Sequence, residues 1–240
     1  MSSITLSGLS FPITTLKTNQ EKDQKVVFFC THKGGDESIF SNWYPMSIKI
    51  DVYNLMKFLK NQKIELSKDA VNWLLSNKNI LDQISFANNE IFMFAFIKAL
   101  IFPGDTKTIT SAYQIYKPNE AKTFGRKVPS FNNEVWDRIK FPLSIYTQYH
   151  KFSQSHNAKK ATIDLILLGC DIVEASHYDQ IWGIGLSIQN PKILDINKWQ
   201  GLNLLGKSIV KAIKIIINEN KMIMDLEMQM KDNITKISSS

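Results

Sequence analysis

The sequence predicts an α+β fold: a single, mainly helical domain with a few short strands. Three observations carry this. Apolar residues recur at three- and four-residue spacing through most of the chain, the β-branched and aromatic runs are short and lie early and late, and no strand–helix alternation of the βαβ kind is present. At 240 residues the chain exceeds a typical domain by about half, which fits one domain with an insertion better than two. Its 44% apolar and 21% charged residues support a sizeable core.

Residues 1–25 are polar, Ser/Thr-rich and without a period, and are expected to form a flexible arm. VVFFC (26–30) reads as a strand ended by the loop signal THKGGDES, and MSIKIDV (46–52) alternates as a half-buried strand, so the two are expected to pair. From Asn54 to about Asn79 the pattern is helical, with Ser67 as an N-cap and Ala70, Val71, Leu74 and Leu75 on one face. Asn88 or Asn89 caps the next helix, apolar nearly all round until Pro103-Gly104 ends it. A short helix runs from Pro118 to Gly125, and a longer one starts at Asn133 with a break expected at Pro142. A further helix spans Asn157 to Gly169, IVEAS (172–176) is extended, and WGIGLSIQNPK (182–192) is a loop. The last helix begins near Asn203 with Leu205, Ile209, Ala212, Ile213 and Ile216 on one face, and extends past Asn218 toward a frayed SSS end.

The charge balance, 29 − 22 = +7, favours anionic ligands but is too diffuse to single out nucleic acid over phosphate-bearing small molecules. Lys207, Lys211 and Lys214 form a stripe on the last helix, but without interleaved aromatics it reads as a solvated face. Cys30 and Cys170 are far apart, and His32, His150, His156 and His177 never approach metal-ligand spacing. Neither a disulfide framework nor a metal site is expected. No apolar stretch reaches membrane-spanning length and the N-terminus lacks a leader pattern, so a cytoplasmic location is expected.

Gly201 to Ser208 fits GxxxxGK[ST] and opens a helix. What precedes it, ILDINKWQ, is no buried strand, and too little chain follows to complete a nucleotide-binding sheet, which argues against a P-loop NTPase. Other residues carry more chemistry. Glu90 lies in the first turn of an otherwise apolar helix, where it either complements the helix dipole or emerges as a carboxylate at the edge of the core. Glu174, Asp179 and Trp182 join carboxylates and an aromatic to a glycine-rich loop, as a structural corner or as a ligand site.

The order of the pieces is more specific than any one of them. FFCTHKGGDESIFSNWYP (28–45), Glu90 at a helix start, AKTFGRKV (121–128), WDRIKFPLSIYTQYHKFSQS (136–155), LGCDIVEASHYDQIWGIGL (168–186) and KWQGLNLLGKSI (198–209) together resemble the YbiA-like, or NADAR, family. The resemblance covers residues 26–217 and leaves 218–240 as a C-terminal extension; GLNLLGK is similar to that family's closing motif. It implies a YbiA-like fold carrying a helical insertion at 54–80, and an N-glycosidase. Members cleave phosphoribosylamino-pyrimidine intermediates of riboflavin synthesis or ADP-ribosyl adducts of nucleobases, without a metal or organic cofactor.

The residues that match by motif are Asn42, Glu90, Arg126, Lys151, Glu174, Asp179, Trp182, Gly183, Asn203 and Gly206. In the chemistry this implies, Glu90 and Asp179 are the catalytic carboxylates, with exchangeable roles at the water and the leaving group. Trp182 stacks on the base, Arg126 and Lys151 bind the 5′-phosphate, and Asn42 and Asn203 orient hydroxyls or hold loops. Where the family carries polar residues after the glutamate, with a lysine further along the helix, this chain has Ile91, Phe94 and Ile97; Ile213 replaces a basic residue in the last helix. Those departures favour, as the alternative, a module that binds ADP-ribose or a nucleotide without cleaving it.

Overall fold

The computed structural model describes residues 2–16, 23–31, 33–83 and 85–238, with side chains to residue 223. His32, residues 17–22 of the expected arm and the last two serines lie outside the described residues. Three strands open the chain, β1 (Ser2–Leu6), β2 (Leu9–Leu16) and β3 (Gln24–Phe29), and a fourth, β4 (Cys170–Glu174), comes late. They form one sheet in that order, antiparallel except for the parallel pair β3/β4, whose register sets Val27 against Ile172 and Phe29 against Glu174.

The expected N-terminal arm is thus corrected over residues 2–16, which form a hairpin: Ser7 and Gly8 take positive φ at the turn, and Phe11 and Leu16 are fully or almost fully buried. The alternation of Ile4, Leu6, Leu9, Phe11 and Ile13 is its signal in the sequence. The pairing expected for 46–52 is also corrected. Met46, Ile48, Ile50 and Val52 are buried in strict alternation, but the segment makes only an isolated bridge from Ile48 to Phe86, because β2 and β4 already occupy both edges of β3.

β3 shows why VVFF (26–29) is apolar throughout. Val27 and Phe29 pack with Ile172, Phe152 and Ile209 on one face, while Val26 and Phe28 pack with Val173 and Ile184 on the other. Both faces are covered, so the usual polar alternation is absent.

The helices lie between β3 and β4 and after β4. The stretch 54–79 divides into α1 (Val52–Asn61), capped by Asp51, and α2 (Lys68–Ser76), capped by Ser67 as expected, followed by the single turn α3 (Lys78–Leu81). Leu55, Leu59, Ala70, Trp73 and Leu74 enter the same core as the Glu90 helix. That helix is wound as a π-helix over Ile91–Ile97, continues as α4 (Lys98–Ile101), and has Asn88 as its cap, the side chain accepting from the Ile91 amide.

After α5 (Thr106–Tyr113), α6 (Pro118–Lys127) runs past Gly125, where it was expected to end. A Cβ on Gly125 would lie 2.2 Å from the Phe94 carbonyl, so this glycine permits helix–helix approach instead of termination. α7 (Asn133–Ser153) continues through Pro142, correcting the expected break. Its packing against α9 (Leu204–Ser238), including Ser144 Oγ to Ser208 Oγ at 2.7 Å, offsets an internal proline's cost of about 3 kcal/mol. α8 (His156–Leu167) completes the layer on the sheet. The architecture is α+β, as expected. Among the described residues no helix is long and apolar enough to cross a membrane.

Candidate active site

The parallel pair sets the location of the site. In sheets with parallel strands, ligands gather outside the carboxyl ends. β3 leads there to Ser41, Asn42 and Trp43, and β4 leads to Glu174 and the 175–182 loop. With the π-helix and α6 these segments wall a cleft of about 570 Å³. Asn42, Glu90, Arg126, Glu174, Asp179 and Trp182 all line it.

Glu90 occupies the base of the cleft, 7% exposed. Burial pushes its carboxyl up to about 7; Lys122, a hydrogen bond with the Trp43 side chain and Lys98 pull the other way, while Asp179 adds to the rise. Glu174 goes further, to about 8, again chiefly by burial, with Asp179 and Glu90 repelling its charged form. Its Oε2 is buried without a hydrogen-bond partner. Both acids are therefore poised to exchange protons near neutral pH. Asp179 has a different setting. Its Oδ1 accepts from the amides of Ile181 (2.9 Å) and Trp182 (2.7 Å), which fixes the loop and aims the indole. Trp182 meets Phe94 edge-on at 5.4 Å.

Three cations line the same cleft. Lys122 and Arg126 stand four residues apart on α6, at the cleft's exposed rim. Lys98 is buried beneath: its ammonium donates to the Gly125 carbonyl at 3.0 Å and lies 4.4 Å and 4.5 Å from the ring centres of Phe131 and Trp136. Burial lowers it to about 8, opposed by Glu90. Sequence reasoning missed Lys98, treating it as an interruption of an apolar run and looking for a lysine at position 97. Glu90, Phe94 and Lys98 follow one another at four-residue spacing along this π-helical stretch and share the face that lines the cleft. Lys122 was present in the matched AKTFGRKV segment, and Trp43 in SNWYP, but nothing in the sequence aimed them at Glu90.

Other expected residues act at a distance. Lys151 does not line the cleft: it is fully buried, and its Nζ donates to the carbonyls of Ile39 (2.6 Å) and Ser41 (2.8 Å). A phosphate contact there is corrected to a clamp on the chain leading to Asn42. Asn203, at positive φ, accepts from the Glu174 amide (3.0 Å) and donates to the Ile172 carbonyl (2.9 Å). Gly206 lets α9 rest on β4, since a Cβ would lie 1.9 Å from the Ile172 carbonyl, and Gly183 packs on the carbonyls of Glu174 and Asp179. These three position Glu174 without touching the cleft. The P-loop pattern is accounted for in the same way. Gly201 packs on the Gly183 carbonyl, leaving no cradle for phosphate. Among the described residues no group of three or more His, Cys, Asp or Glu side chains is placed to hold a metal ion.

Comparison with known proteins places this arrangement among relatives. The family model described as the NADAR domain matches residues 28–216. N-glycosidase R617 of Acanthamoeba polyphaga mimivirus is 31% identical over 192 residues, 80% of this chain and 95% of that protein. Protein irg-1 of Caenorhabditis elegans is 26% identical, covering 80% of each chain. The NMR structure of the E. coli protein YbiA superposes with a TM-score of 0.55 at 16% identity, covering 81% of this chain and 86% of that one, and is similar in fold.

Proposed function

We infer that this chain, which belongs to the NADAR domain family, is an N-glycosidase: a hydrolase that breaks the bond between the anomeric carbon of a ribose and a nitrogen. The observation that carries the reading is the pairing of two buried carboxyls, Glu90 and Glu174, raised to about 7 and about 8 on one cleft lined also by Lys98, Lys122 and Arg126.

In the proposed reaction the C–N bond breaks with the electron pair leaving on nitrogen, and the ribose takes on oxocarbenium character. Glu174, protonated at neutral pH and with an unpartnered oxygen, gives its proton to the departing nitrogen. Glu90, as the carboxylate, stabilises the cationic sugar and takes a proton from the attacking water. This keeps Glu90 in its expected role and moves the donor from Asp179 to Glu174, because Asp179 is committed to the amides of its own loop. The Asp179 charge, close to both glutamates, holds the proton on Glu174.

Trp182 offers a face to the heterocycle, and Arg126 with Lys122 receives the 5′-phosphate, the planar guanidinium suiting bidentate contact. The substrate proposed is a phosphoribosylamino-pyrimidine of the riboflavin route, with ADP-ribosyl adducts as the second class. The step as written calls on no metal or cofactor. Release of ribose 5-phosphate from a panel of both classes tests the reading. Cleavage of the phosphorylated pyrimidine, with weaker reaction of its dephosphorylated form, is expected; binding without cleavage across the panel would replace the enzyme with a binding module.

A further inference from the structure

A second cavity, of about 490 Å³, lies outside this cleft, where α1 meets α7 and α9. Its wall is aromatic. Phe58 stacks on Tyr146 at 4.3 Å between ring centres, and His150 packs against both Tyr146 (4.5 Å) and Tyr149 (5.5 Å). The polar groups among these rings are underused. The Tyr146 hydroxyl is buried without a hydrogen-bond partner, and burial lowers the pKa of His150, so its neutral ring carries one donor and one acceptor nitrogen. Asn54 and Asn61 add carboxamides at the α1 edge. A stacking wall with donors and acceptors at its margin suits a planar heterocycle, and the size falls within the range of small-ligand sites, about 300–1,000 Å³.

Lys57 belongs both to this cavity and to a neighbouring groove that Lys60 and Lys63 also line over an apolar floor of Met56, Ile64 and Leu66. Lys57 and Lys60, three residues apart, project from one side of α1. None of the three lysines forms an ion pair with a described residue. The anions nearby are Glu65 in the groove, Glu219, which accepts from the Tyr149 hydroxyl at 2.8 Å, and Asp51, the α1 cap, whose charge acts on Tyr146 and His150.

We propose that the α1–α7 seam is a second ligand site, for a nucleotide, with the base against Phe58 and Tyr146 and the phosphates on Lys57 and Lys60. The seam is separate from the reaction cleft but not isolated from it. α7 turns Tyr146, Tyr149 and His150 to the seam, while its buried Gln148 donates to Asn42 Oδ1 at 2.7 Å and its Lys151 clamps the carbonyls before Asn42. Residues 54–80 thereby gain a role: they supply one wall of the site. The proposal goes beyond the N-glycosidase reading and stands whether or not that activity is found.

Calorimetric titration of the full chain with AMP, UMP, adenosine and pyrophosphate tests it. Saturable binding of AMP or UMP is expected in wild type, in Glu90→Gln and in Arg126→Ala, at least tenfold weakened by the double change Lys57→Ala/Lys60→Ala, whose exposed positions leave the fold and its melting temperature unchanged. Phe58→Leu, with the same melting check, is expected to weaken AMP and adenosine but not pyrophosphate. Adenosine and pyrophosphate alone should each bind at least tenfold more weakly than AMP. Absence of saturable nucleotide binding would overturn the proposal. So would binding lost in Arg126→Ala and untouched in the lysine pair, or pyrophosphate binding as tightly as AMP.

Discussion

The backbone amide of Glu90 donates to the carbonyl of Asn42 at 3.0 Å, joining the loop after β3 to the first turn of the helix that carries the Glu90 carboxyl into the cleft. First-turn amides have no intrahelical acceptor, so this bond supplies one from another segment. The same Asn42 turns its Oδ1 to Asn89 Nδ2 (2.9 Å) and Gln148 Nε2 (2.7 Å), both buried. Asn42→Ala strands two buried donors at about 1–3 kcal/mol each. A melting temperature several degrees lower and a parallel loss of turnover are expected. Thermal unfolding of the variant checks the first and steady-state cleavage the second; an unchanged midpoint would show that the network carries no stability.

Lys98 lowers the carboxyl pKa of Glu90 by its charge, so removing it has a defined sign. In Lys98→Met the acid should titrate above about 7, displacing the rising limb of the pH–rate profile to higher pH, with a larger loss at pH 6.5 than at pH 8.5. An equal loss at both values would mean that Lys98 acts on something other than the protonation of Glu90.

Much of this architecture is legible in the sequence because it rests on local signals. Ser67 caps α2 as its hydroxyl predicts, the last helix begins after Asn203, and the strand expected at 26–30 is present through Phe29. What stays hidden depends on pairing across the chain. The 46–52 segment alternates like a strand, yet both edges of β3, its expected partner, are taken by β2 and β4. The cleft shows the same division. Glu90, Glu174 and Trp182 are marked by their neighbours in the sequence, whereas Lys98, one four-residue step beyond Phe94 on the same face, reads in the sequence only as an interruption of an apolar run.

The buried ionisable groups predict how stability changes with pH. Between about 4.5 and 7 to 8, the unfolded chain has lost the protons that folded Glu90 and Glu174 keep, so stability falls as pH rises. Above about 7 to 8 the sign reverses: folded Lys98 and Lys151 have lost protons that the unfolded chain keeps up to about 10.5, so stability rises again. Each fully titrating group contributes at most about 1.4 kcal/mol per pH unit. Melting temperatures are expected to reach a minimum between pH 7 and 8, with a shallower acid limb in Glu174→Gln and a shallower alkaline limb in Lys151→Met. A curve that rises steadily from pH 5 to 8 would contradict the burial of both carboxyls.

The roles of the two glutamates separate most sharply in paired variants. Glu90→Gln keeps shape but removes charge and basicity, so a catalytic role implies a loss of about 10²–10⁴ in turnover, equivalent to ~3–5 kcal/mol of barrier. If Glu90 served only the helix dipole, the change would cost about 0.3–1 kcal/mol of stability and leave turnover intact. Glu174→Gln removes the proposed proton donor, and its defect should depend on the leaving group: severe for a basic nitrogen that needs a proton, slight for an activated heterocycle that departs without one. Asp179→Asn retains an acceptor oxygen for the Ile181 and Trp182 amides, so the loop should hold, while loss of the charge lowers the Glu174 pKa and moves the falling limb of the pH–rate profile to lower pH. Single-turnover cleavage of two substrates differing only in leaving-group basicity reads all three variants. A Glu174→Gln defect equal on both would return the acid role to Asp179, and full activity in Glu90→Gln would remove the base from the mechanism.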